Sequence, residues 1–202
     1  DVHLQPEQLA IACLGRPHLA LHDLRRVTTR RQQLERCGGF HAGGVEMLVL
    51  SADAGDNAQS VVLAANAASA GLGAVDASGV GATDAVSVDA SAFTAALEIT
   101  TAGGDDDILL GSGGSTVASG AGDDSITVGA ANDGVTDDDI STGAGDDLVK
   151  VTDAQLSAHL TVDGGDDDDV LEVQDDASIV DADLAGLTGI ETLRLIADAV
   201  DN

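Results

Sequence analysis

Aspartates set in short glycine-rich steps are the first chemical signal in this chain. Counting in nines from Thr101 gives TAGGDDDIL, LGSGGSTVA, SGAGDDSIT and VGAANDGVT over residues 101–136. A further copy, TGAGDDLVK, begins at Thr142 after a five-residue insertion, Asp137 to Ser141, and a degenerate one, GGDDDDVLE, begins at Gly164. The sixth place of these blocks holds Asp106, Ser115, Asp124, Asp133, Asp147 and Asp169. The fourth holds Gly104, Gly113, Gly122, Ala131 and Gly145, with Asp167 where the last copy should carry glycine. Carboxylates on turns that glycine lets pass through positive φ are donors for a hard, oxygen-seeking cation.

The eighth place holds Ile108, Val117, Ile126, Val135, Val149 and Leu171. A solvated acidic linker gains nothing from aliphatic side chains at fixed intervals, so the phasing implies a buried row. Each block then makes half a coil, and two blocks, about 18 residues, complete one turn of a flattened right-handed spiral. Stacking places Asp106, Asp124, Asp147 and Asp169 in one row and Asp133 in the opposite one, where Ser115 replaces aspartate and metal binding is expected to be weak. The expected fold is all-β: a right-handed parallel β-roll or β-helix solenoid with cation-binding turns.

SGAGDDSIT and TGAGDDLVK resemble the GGxGxDxUx nonapeptide of hemolysin-type, or RTX, proteins, and the resemblance covers residues 101–172 with interruptions. It implies Ca2+ as the bound metal, held by Asp106, Asp124, Asp133, Asp147 and Asp169 with the turn glycines Gly104, Gly122 and Gly145. It also implies a chain that crosses a type I secretion channel unfolded and folds on meeting external calcium, hence an extracellular or cell-surface location.

A longer repeat surrounds the short one. DASAFTAALEI from Asp89, DAQLSAHLTV from Asp153 and DADLAGLTGIETLRL from Asp181 share an Asp-Ala start and a closing alternation of apolar residues, which reads as further coils. Asp84 and Val86 repeat the sixth-and-eighth spacing weakly. The expected divisions are a basic helical or poorly ordered lead-in over 1–40, mostly metal-free coils over 41–100, calcium-binding repeats over 101–172, and a closing coil over 173–202. Together these features look like large secreted repeat proteins, including calcium-dependent bacterial surface-layer proteins.

Composition supports this organisation. Six of the eight basic residues, Arg16, Arg25, Arg26, Arg30, Arg31 and Arg36, precede residue 37, whereas residues 37–202 carry two basic against 32 acidic residues, a formal charge of −30. Such a charge opposes compaction without counterions and excludes nucleic acid or anionic membranes as partners. The only aromatics are Phe40 and Phe93, so the core is expected to be narrow and aliphatic. No apolar stretch approaches the ~18 residues of a membrane span, and the N-terminus lacks the apolar run of a cleaved export signal.

Enzymatic chemistry finds no support in these residues. His18 and His22 have helical i, i+4 spacing but HLALH lacks the glutamate of a zinc-protease helix, and Cys13 and Cys37 form no close metal-ligand pair. No GxSxG and no Gly-Lys-Ser/Thr occurs. The expected function is a calcium-binding structural module of a surface-layer or adhesin type, with calcium ions and either further copies of itself or a cell-surface component as partners. The alternative is an export and folding module attached to an enzyme or toxin encoded upstream.

Overall fold

A computed structural model describes residues 45–51, 58–129, 137–156, 159–175 and 179–196. The lead-in over 1–40 and Asp133 with its turn lie outside the described residues. The strands are short and alternate between two sheets. In chain order they are β1 (Met47–Ser51), β2 (Gln59–Val62), β3 (Ala74–Gly79), β4 (Val86–Asp89), β5 (Leu97–Thr100), β6 (Asp107–Leu109) and β7 (Ser115–Ala121). They continue as β8 (Ser125–Thr127), β9 (Asp138–Ala144), β10 (Leu148–Val151), β11 (Leu160–Asp166), β12 (Val170–Val173), β13 (Leu187–Thr188) and β14 (Thr192–Leu195). Among the described residues one α-helix, α1 (Ala65–Ser69), interrupts the first coil.

Odd-numbered strands form one seven-stranded sheet and even-numbered strands the other, and every pairing is parallel. The chain is therefore a parallel β-solenoid. Because side chains alternate across a strand, one set from each sheet turns inward and stacks coil on coil. Val61, Val88, Ile108, Ile126, Val149 and Leu171 make one such column. Val75, Ile99, Val117, Ile140 and Val162 make the facing one. All of these are buried, and burying each aliphatic side chain contributes roughly 1.5–3 kcal/mol. Phe93, 1% exposed, is the largest core residue, which suits a narrow, aliphatic interior.

The register departs from a strict count in nines at two places. Val117 pairs with Ile140 and Thr116 with Asp139, so Ile140 and Asp138 stand beside Val117 and Ser115. Asp138 to Ser141, counted as part of an insertion, thus belong to strand β9 and pair within the sheet. Upstream, Val88 pairs with Ile108, which places Val86 rather than Asp84 next to Asp106. Backbone pairing follows the continuous core column, and the weak Asp84 and Val86 match lay two residues out of phase with it.

The longer repeat corresponds to one structural unit. Its members begin at a turn, as 3-10 helices at Asp153–Gln155 and Asp181–Leu184, and run on into β11 and β13. The copy from Asp89 begins with a turn in which the Asp89 carboxylate accepts the Ser91 amide at 3.0 Å, and ends in β5.

Candidate metal-binding edge

Asp106, Asp124, Asp147 and Asp169 come together along one edge of the solenoid, at the turns that lead into the even-numbered strands. Each sits just before an aliphatic residue committed to the core, so the strand register fixes the carboxylate inside the turn. They are 1–2% exposed. A ladder of charge-assisted hydrogen bonds joins successive coils: the Val86 amide donates to Asp106 Oδ1 at 2.6 Å, Asp106 to Asp124 at 2.8 Å, Asp124 to Asp147 at 2.7 Å, and Asp147 to Asp169 at 2.9 Å. The Asp169 amide donates to Glu191 Oε2 at 2.9 Å, so glutamate ends the row.

The second oxygen of each aspartate has no such partner. Oδ2 of Asp106, Asp124, Asp147 and Asp169 is buried without a hydrogen bond. Hydroxyls of Thr101, Ser119 and Thr142 lie beside the first three carboxylates, but their protons go to the next coil: Thr101 Oγ1 to the Ser119 carbonyl at 2.5 Å, Ser119 Oγ to Thr142 at 3.0 Å, and Thr142 Oγ1 to Gly164 at 2.6 Å. Burial pushes all four carboxyls above the usual carboxylate range, and Asp124 and Asp147 reach about 6, while the amide bonds and nearby hydroxyls only partly oppose the shift. A buried anionic oxygen without a partner is costly unless a proton or a cation satisfies it.

The turn glycines fit this stacking. Gly104, Gly122 and Gly145 have φ of 86°, 120° and 130°, and a Cβ on Gly122 would stand 2.5 Å from the Gly104 carbonyl oxygen. Asp167, in the corresponding place of the last copy, adopts φ 84° without being glycine. The turns thus stack with backbone against backbone.

Sequence reasoning missed three carboxylate features. Asp105, Asp123, Asp146 and Asp168 form a second, exposed row of opposite polarity: the Asp123 amide donates to Asp105 at 3.1 Å, Asp146 to Asp123 at 3.0 Å, and Asp168 to Asp146 at 3.1 Å. The Asp-Asp doublet in four copies was its signal. Glu191 follows Asp169 by 22 residues, the same step as Asp147 to Asp169, so spacing could have found it. On the opposite edge the buried Asp138 accepts the Ser115 amide at 2.7 Å, beside an exposed His159–Asp137 pair at 2.6 Å.

Among the described residues, no three His, Cys, Asp or Glu side chains converge as a ready-made metal cage. Any ion on the aspartate edge would therefore take much of its coordination from backbone carbonyls. That donor set, all oxygen, suits Ca2+ rather than zinc or copper.

Two parallel sheets closing over facing aliphatic columns, with an aspartate ladder along one edge, define the class: a parallel β-solenoid with a buried carboxylate row. Compared with protein-family models, curated proteins and solved structures, the chain gives no match.

Proposed function

We propose that the chain is a calcium-binding structural module of a secreted bacterial repeat protein, of surface-layer or adhesin type, which folds on calcium outside the cell. The observation that carries this reading is the set of four buried Oδ2 atoms, on Asp106, Asp124, Asp147 and Asp169, that have no hydrogen-bond partner. Calcium between successive turns would take these oxygens together with carbonyls of the Gly104, Gly122 and Gly145 turns, and would cross-link coils that otherwise repel. The resemblance of SGAGDDSIT and TGAGDDLVK to the RTX nonapeptide supports the same ion.

The charge of −30 on residues 37–202 gives the switch its physical basis. At low calcium, self-repulsion and unsatisfied carboxylates oppose folding; at millimolar calcium, each loaded site adds linkage stabilisation. Extracellular sites of this kind bind at roughly 0.1–1 mM. No step of this function is catalytic.

Calcium titration followed by far-ultraviolet circular dichroism, with magnesium as control, tests the proposal. A cooperative gain of β signal near millimolar calcium is expected, weakened in Asp124→Asn and Asp147→Asn, which keep the Oδ1 acceptor but lose the second anionic oxygen. Equal β content and an equal melting temperature in chelator and calcium would remove the metal from the account and leave the solenoid alone.

A further inference from the structure

β1 differs from every strand stacked on it. Its outward positions, Met47 and Val49, are 53% and 54% exposed, and Val45 just before them is 54% exposed. The in-register outward positions of the next coils are Ala74 and Asp76, Glu98 and Thr100, Thr116 and Ala118, then Asp139 and Ser141. The sheet thus presents small or polar side chains outward everywhere except at its first strand. β1 is also the terminal strand, bonded on one side to β3, and it contains no charged residue and no proline. An apolar, uncharged edge of this kind is an adhesive surface unless something covers it.

We propose that residues 1–44 of this chain dock on the apolar outer face of β1 and on the edge that the described residues leave unpaired. Contiguity is the first ground: these 44 residues lead directly into Val45, so their local concentration at β1 exceeds that of any separate partner. Composition is the second, because they bring apolar clusters at Leu9, Ile11 and Leu14 and at Leu19, Leu21, Leu24 and Val27. Charge is the third. Six of the chain's eight basic residues lie there, and the patch is flanked by the exposed Glu46 and Glu98 and the half-buried Asp76. A solenoid end needs a cap with one apolar side and one polar side, and this segment has both kinds of residue.

Met47 is the only methionine, and Cys13 and Cys37 are the only cysteines, which makes the test direct. In the full chain carrying Cys37→Ser, a nitroxide on Cys13 should broaden the Met47 methyl resonance at low salt. Reversing Arg25, Arg26, Arg30 and Arg31 to Glu should restore most of that signal while the β-sheet circular dichroism stays unchanged. A Met47 resonance untouched by the label overturns the proposal. So does broadening that persists in the reversed variant, which marks a tether without a docked face. Broadening of an unlabelled, isotope-enriched chain by a labelled one assigns the edge to a second copy and overturns it as well.

Discussion

Asp124 and Asp147 each give one oxygen to an amide of the preceding coil and hold the other in a dry turn, which is why their pKa rises to about 6. The direction of the resulting pH dependence follows from linkage. Below the folded pKa the native carboxyl holds a proton that the unfolded chain, with its ordinary value of 3.8, still releases, so native stability grows as pH falls from about 6 toward 3.8. In chelator the melting temperature should therefore rise between about pH 7 and about pH 5, the reverse of ordinary acid destabilisation. The Asp124→Asn, Asp147→Asn double variant should flatten this slope; a melting temperature that falls on acidification would contradict the buried ladder.

Turns and strands carry a second kind of constraint. Gly143, at φ 114° on β9, lies so close to β7 that a Cβ would run into the Gly120 carbonyl. Gly143→Ala should destabilise by about 2 kcal/mol or more, from left-handed strain and the clash together. Asp167→Gly should do the opposite, a gain of roughly 0.5 kcal/mol, because relief at φ 84° outweighs the added chain entropy of glycine. Urea unfolding of both variants checks the pair of signs. The nonapeptide period made the aliphatic column and the Asp106, Asp124, Asp147 and Asp169 row legible in the sequence, since both repeat at fixed places. The place of Asp138 was not legible: the count in nines leads to Val135, and nothing in the aliphatic spacing singles out Ile140 as the residue paired with Val117. Glu191 escaped because a longer side chain reaches the Asp169 amide from outside the motif.

At the scale of the whole molecule, large exposed apolar side chains among the described residues gather at the two ends: Val45, Met47 and Val49 at one, Val180, Leu184, Leu193, Leu195 and Ile196 at the other. The flanks are acidic. Leu193 and Leu195 continue the buried Leu171 and Val173 columns into the last described coil, where they are exposed among the described residues. Side-by-side association would bring like-charged rows together, whereas the ends carry the apolar surface. With a net charge of −28, the metal-free protein should gain stability on raising sodium chloride from about 0.01 M to about 1 M, as the screening length shrinks from about 30 Å to about 3 Å. An unchanged or lower melting temperature across that series would show that self-repulsion is not what limits the fold.

The opposed polarity of the two aspartate rows bears on how such a chain can change length. In the buried row an amide reaches for the carboxylate of the following coil, and in the exposed row it reaches for that of the preceding one. Copying or deleting one whole coil within the row, some 22 codons, adds or removes one donor and one acceptor from each ladder and leaves none stranded. Successive steps of 18, 23 and 22 residues all keep both ladders intact, so the coil and not a fixed residue count is their unit. Length is thus a variable that gene duplication can change in whole coils without redesigning the edge.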